Sequence, residues 1–318
     1  MAAALAAGLA WPIRALVVIN AALTAIYLSI TAFRGWLLYR GVSLGEAAYE
    51  EHVKSAEPAD RNLPIYTILV PLFDEGEVLP VLLQAVADID YPPSKLDVML
   101  LFEESDQRTI GAAKALEPPR YFQFVRVPNS TPQTKPKACN YGLIRAVGDY
   151  CVIYDAEDIP EGDQLRKVVT AFRQAPSDVV CMQCRLNFFN REQNLLTRWF
   201  ASEYSMWFDV FLPGLSGTGA PIPLGGTSNH FVTEVLRELG GWDPFNVTED
   251  ADLGVRLHRA GYRTGMLSST TLEEANSRLG NWIRQRSRWI KGYMQTWLVH
   301  MRHPIRLWRE IGLKSFLI

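Results

Sequence analysis

From Leu63 onward the sequence alternates short apolar runs with amphipathic stretches, and this alternation leaves few folds open. "IYTILVP", "LDVMLLF", "YFQFVRV" and "YCVIYD" read as strands, while "VLPVLLQAVADI", "QRTIGAAKAL" and "KACNYGLIRAV" between them read as helices. Strands joined through helices of this length need right-handed crossovers and give a mostly parallel sheet. The runs are apolar throughout, as expected of strands covered on both faces. The expected fold class is therefore α/β, with a Rossmann-like sheet. In such sheets ligands sit at the carboxyl ends of the strands. Those ends here read "VPLFDEGE", "LLFEESD", "RVPNSTPQTKPKA" and "YDAEDIP", so most carry acids.

A cluster of carboxylates at a binding edge repels itself unless a cation neutralises it, and hard oxygen ligands suit Mg²⁺ or Mn²⁺. Such ions are usually held by one or two carboxylates plus substrate phosphates, which points to a diphosphate-bearing ligand. An isolated D-x-E would be a solvated turn. Here Lys135 and Lys137 stand just ahead of a helix whose amino terminus adds positive potential for an anion. There is neither a Walker loop nor a GxGxxG, and "GLSGTGA" (214–220) follows no strand, so it reads as a mobile loop. "DAEDI" does not fit the DxDx[TV] of a dehalogenase-type phosphatase.

Ahead of this domain, Ala15 to Phe33 carries no charge over 19 residues, a helical rise of about 28 Å that matches a hydrocarbon core. Arg14 alone precedes the run, whereas Arg34, Arg40, Lys54 and Arg61 follow it. The positive-inside tendency thus expects an inner (plasma) membrane anchor with the domain that follows it in the cytoplasm. The expected organisation is an anchor over 1–40, a linker over 41–62, an α/β domain over 63–280 and amphipathic interfacial helices over 281–318.

Composition excludes some classes. The net charge is -2, with no overall basic surplus for a general nucleic-acid binder. The basic residues gather at the end, where nine Lys or Arg from Arg278 onward face one acid, Glu310. There Trp282, Trp289, Tyr293 and Trp297 recur at helical spacing among Arg284, Arg288 and Lys291, as expected of a helix lying on a bilayer. Four cysteines suit a reducing compartment, and Cys181 with Cys184 read as core thiols on a strand. In "VTEDADLGVRLHRAG" a short helix ends at Gly261, with Thr248 as cap and Glu249, Asp250 and Asp252 in its first turn. A carboxylate at a helix amino terminus is expected to stay ionised at neutral pH. His258 reads as a polar face residue, and no Ser-His-Asp arrangement is visible.

"YDAEDIP", "VTEDADLG" and "QRSRW" in this order, downstream of an apolar span, resemble the processive family 2 glycosyltransferases, the cellulose, hyaluronan and chitin synthases and their relatives. The resemblance covers roughly residues 63 to 295. It implies a GT-A fold and an inverting, metal-dependent transfer from a nucleotide sugar, UDP-glucose first, to a growing β-linked polysaccharide. By resemblance Asp155 and Glu157 hold Mg²⁺ or Mn²⁺ on the diphosphate and Asp250 is the general base. Glu249 beside it, with Gln285, Arg288 and Trp289, frames the acceptor and diphosphate. Glu103, Glu104, Lys137 and Asn140 lie near the nucleotide. Glu157 stands where the family has Asp, and Glu103–Glu104 replace its Asp-Asp, which moves each carboxylate by a methylene. Transfer to a lipid, as in the ceramide glucosyltransferases that share this layout, and a silent sugar-nucleotide-binding subunit are the alternatives. The implied partners are a nucleotide sugar, a glycan or lipid acceptor and the bilayer. In such relatives further membrane helices follow where this sequence ends at "LKSFLI", the pattern expected of a fragment.

Overall fold

The computed structural model describes residues 12–44 and 59–318. The alternating pattern produces β1 (Tyr66–Leu72), α2 (Leu79–Ala87), β2 (Leu96–Glu103), α3 (Gln107–Ala115), β3 (Phe122–Val127), α4 (Lys135–Leu143) and β4 (Tyr150–Ile153), after a first long helix, α1 (Pro12–Leu44). Beyond these come β5 (Ile159–Pro160), α5 (Gln164–Gln174), β6 (Val179–Phe188), α6 (Leu195–Ser205), a π-helical segment (Met206–Phe211) and α7 (Leu212–Ser216). The chain ends with β7 (Asn229–Val232), α8 (Thr233–Glu238), α9 (Glu249–Arg259), β8 (Arg263–Glu273), α10 (Leu279–His300) and α11 (Pro304–Leu317). Part of the expected mobile loop at 214–220 is thus helix, α7, and its Leu215 is buried.

All eight strands join one sheet in the order β3-β2-β1-β4-β7-β6-β8-β5. β1, β2, β3 and β4 run parallel, as do β6 and β8; β7 is antiparallel to both its neighbours and β5 to β8. Every residue of β2 is buried, as its largely apolar run requires, including Asp97, which accepts from Thr67 and Gln123. β3 departs from that expectation: Gln123, Phe124 and Arg126 are exposed because it is the edge strand. Two apolar layers form, one built on Ile68, Val98 and Leu165, the other on Leu69, Leu101, Cys151 and Trp242. Each buried Leu or Val contributes about 1.5–3 kcal/mol relative to exposure. The four cysteines are free and buried, Cys181 and Cys184 on β6.

α1 is the one helix among the described residues long and apolar enough to cross a membrane. Its 33 residues rise about 50 Å, more than a hydrocarbon core of about 30 Å needs. The surplus at its carboxyl end lies on the domain, where Leu37 and Gly41 are buried. A Cβ on Gly41 would overlap the Val210 carbonyl, and one on Gly214 would overlap that of Leu37. The two backbones therefore touch without intervening side chains. The expected linker begins within this helix, which runs to Leu44, and residues 45–58 lie outside the described residues.

Candidate active site

The acids of "YDAEDIP" separate by orientation. Asp158 turns inward, with a carboxylate that accepts from the Asp155 N–H at 2.6 Å and from the Thr227 hydroxyl, and it is only 1% exposed. It closes the turn after β4, so Asp155 and Glu157 face a cavity of about 950 Å³. Burial, followed by the Asp155 charge, holds the Asp158 carboxyl well above the ordinary range.

The loop after β1 delivers another carboxylate. Asp74, in the left-handed region at φ 56°, donates its N–H to Asp106 at 2.6 Å, and Glu75 donates its own to the Thr109 hydroxyl at 3.2 Å. Pinned to the start of α3, Glu75 lines the same cavity. Burial first, with the charges of Glu157 and Asp155 adding, raises its pKa to about 7.

The first turn of α4 supplies the counter-charge. Lys135 Nζ lies 2.6 Å from Asp155 Oδ1 and donates to the Gly226 carbonyl at 2.7 Å. Burial opposes its charge, yet Asp155, Asp250 and Glu249 together hold its pKa well above the usual value. Two residues on, Lys137 pairs with Glu103 at 2.7 Å; Glu103 is buried and Lys137 partly so.

α9 brings Glu249 and Asp250 into the cavity wall. Thr248 stands at the cap position but makes no side-chain cap bond; its side chain is packed against Gly292 of α10, where a Cβ would not fit. Trp242 Nε1–H donates to Asp250 Oδ1 at 3.0 Å. Trp242 is itself fixed by Asn140, which donates to its carbonyl at 2.7 Å and accepts from its N–H at 2.9 Å. The helix amino terminus does not hold the Asp250 carboxyl low as expected: burial, followed by the Glu249 charge, pushes it up despite the opposing Lys135. Desolvation outweighs the helix terminus here.

α10 closes the cavity with Gln285, Arg286, Arg288, Trp289 and Tyr293. Gln285 accepts from Asn276 Nδ2 at 3.0 Å. Arg286 forks onto Glu203 and lies about 5 Å from the ring centres of Phe200, Trp282 and Trp289. Arg288 is exposed, with no ion pair among the described residues. The Trp289 and Tyr293 side chains thus face the cavity, whereas Trp297 on the same helix is exposed.

The structure therefore brings together Asp155, Glu157, Glu249, Asp250, Gln285, Arg288 and Trp289 around one cavity. Four other expected residues lie outside its lining: Glu103 and Lys137 are paired with each other, Glu104 is exposed, and Asn140 holds Trp242. Sequence reasoning missed Glu75, Glu273, Glu274 and Arg286. Glu75 and Glu274 follow strands and Glu273 ends one, the same signal that marked Asp155, and Arg286 sits inside "QRSRW".

Among the described residues no group of three or more His, Cys, Asp or Glu is arranged to hold a metal by itself. The donor set is nonetheless that of a hard cation: Asp155 and Glu157 offer carboxylate oxygens and leave other positions to substrate oxygens. Burial first, then the Asp155 charge, raises the Glu157 pKa, and Glu273 is raised well above the ordinary range by burial and by Asp158. Added positive charge would relieve both.

A protein-family model described as "Glycosyltransferase like family 2" matches residues 64–292. The chain is 27% identical over 299 residues to a β-monoglucosyldiacylglycerol synthase of Synechocystis, covering 91% of this chain and 61% of that protein. It is 27% identical over 215 residues to glucomannan 4-β-mannosyltransferase 2 of Arabidopsis thaliana, covering 65% of this chain and 40% of that one. The chain thus spans less than two thirds of the length of these relatives. The mannosyltransferase PcManGT of Pyrobaculum calidifontis, solved with GDP-Man and Mn²⁺, superposes with a TM-score of 0.63 at 21% identity over 88% of this chain and 81% of that one, a likeness of fold.

Proposed function

The chain belongs to the family 2 glycosyltransferases, and from that premise we propose that it is a membrane-anchored, inverting hexosyltransferase using a nucleotide sugar, UDP-glucose first. The observation that carries this reading is the single cavity in which Asp250 and Asp155 stand on different elements. Asp155 and Glu157 would hold Mg²⁺ or Mn²⁺, which when bound offsets the charge of the leaving diphosphate. Arg288 adds a guanidinium free to meet phosphate oxygens. Inversion requires the acceptor hydroxyl to lose its proton while attacking the face opposite the leaving group. Asp250 takes that proton, and its raised pKa makes it a stronger base than an ordinary aspartate. Trp242 and Asn140 hold it in place. The product is a β-linked glycan on a growing polysaccharide or on a lipid; α1 is the anchor, and the domain faces the cytoplasm.

Purified membranes supplied with a panel of nucleotide sugars are expected to release nucleotide from one of them. Chelation should stop the release and Mg²⁺ or Mn²⁺ should restore it; undiminished turnover in excess EDTA contradicts the cation assignment.

A further inference from the structure

The cavity does not end at the carboxylates. Its lining also includes Arg34 and Leu38 of α1 and Trp207 and Phe211 of the π-helical segment. Trp207 and Phe211 stack at 4.7 Å between ring centres. α1 is seated here by close backbone contact at Gly41 and Gly214, where a Cβ would not fit. A π-helical turn is rare and commonly marks a functional site. Arg34 is exposed and has no ion pair among the described residues. Immediately before it, the uncharged run of α1 is exposed along its length.

One continuous space therefore passes from Asp250 through aromatic rings to the point where an apolar helix emerges. We propose that the acceptor is a membrane lipid with a hydroxyl-bearing head group, admitted sideways from the bilayer along α1. This rests on the transferase reading above. The hydroxyl lies beside Asp250, Arg34 donates to the oxygens of the lipid's linkage region, and the acyl chains leave past Leu38 and Phe211. In the transfer, the acceptor oxygen bonds to the anomeric carbon, the bond from that carbon to the diphosphate breaks, and the hydroxyl proton goes to Asp250. The guanidinium suits the polar linkage of an amphiphile, and Leu38 with the exposed apolar run of α1 suits its acyl chains.

The test uses the full chain in phosphatidylcholine vesicles with Mn²⁺ and the nucleotide sugar found active in the panel, radiolabelled in the sugar. Acceptors are diacylglycerol, phosphatidylglycerol or a soluble β-linked oligosaccharide. Label should move into the organic phase with one of the lipids. Leu38→Trp should raise the lipid KM about tenfold and Arg34→Gln about fivefold, each more than the donor KM; in energy terms tenfold is about 1.4 kcal/mol. Ile26→Trp, on an exposed stretch of the same helix outside the cavity, should stay within about twofold of the parent. Label found only in the oligosaccharide, or a lipid KM equally indifferent to Leu38→Trp, Arg34→Gln and Ile26→Trp, overturns the proposal. Absence of any nucleotide release by the parent instead removes the transferase reading on which it rests.

Discussion

Lys135 and Lys137 stand two residues apart on the first turn of α4, and each holds the acid at or just beyond the end of a neighbouring strand. The Lys137–Glu103 pair is closed, with side chains 13% and 6% exposed and a further bond from Lys137 to the Pro128 carbonyl. The Lys135–Asp155 pair is open, 27% and 34% exposed, and borders the cavity. It is surrounded by carboxylates that Asp155 repels, among them Glu157, Asp158 and Asp250. The same residue types at the same spacing thus make a strut in one place and an exchangeable charge in the other. Surroundings decide which, because a closed pair loses its partner's compensation when one side is removed, whereas an open one has water and neighbouring charges to respond.

Substitution should separate the two pairs. Asp155→Asn should lower turnover on the order of 10³-fold, the scale of several kcal/mol of charge stabilisation. Its thermal stability should stay equal or rise, since one of several crowded negative charges is gone. Glu103→Gln should show the converse: a stability loss of about 2 kcal/mol from the partly buried, uncompensated Lys137, with turnover at saturating donor within about tenfold. Denaturant titration alongside steady-state rates measures both. Similar rate losses in the two variants with no difference in stability would erase the distinction.

Finer separations follow within the open region. Trp242→Phe removes the N–H that favours ionised Asp250, so the Asp250 pKa should rise further. The acid limb of the rate profile should then move up by about one pH unit, with turnover near the parent's above it. An unmoved limb would mean that another group takes the proton.

The smallest effect is expected at Glu75. Its pKa in the folded chain, about 7, lies above the unfolded carboxylate value. The folded state therefore binds the extra proton between the two values. The associated stability is complete below about 4.5 and is lost as pH rises through 7. Glu75→Gln should accordingly raise Tm at pH 8 by about 2–4 °C, roughly 1 kcal/mol after discounting for its partial exposure. Little change is expected at pH 5. Equal shifts at both pH values would show that Glu75 is not held protonated.

The parallel half of the sheet was legible because β1 to β4 are short, mostly apolar runs separated by helical periods. β7 was not, since "NHFV" is four residues long and its insertion between β4 and β6 is decided by distant pairing. The acids after β4 and at the head of α9 were legible as a pattern, but the inward turn of Asp158 depends on Thr227, 69 residues away. The raised pKa of Asp250 was hidden for the same reason, because burial is a property of the assembled cavity. Asn140 shows the same limit, since its amide holds Trp242, 102 residues on, and no local pattern reveals that partner. Nothing local in "FRGWLLYRG" tells that Arg34 and Leu38 share a cavity with Asp250, which follows only from the seating of Gly41 on Val210.

Donor affinity by calorimetry, set beside turnover for Asp250→Asn and Asp155→Asn, tests most directly whether one cavity holds two acids with separate roles. Asp250→Asn should bind the active nucleotide sugar with Mn²⁺ within about threefold of the parent while losing about 10²- to 10⁴-fold in transfer, as removal of a general base does. Asp155→Asn should lose both. Near-parental turnover in Asp250→Asn, or equal loss of donor affinity in the two variants, would contradict the assignment.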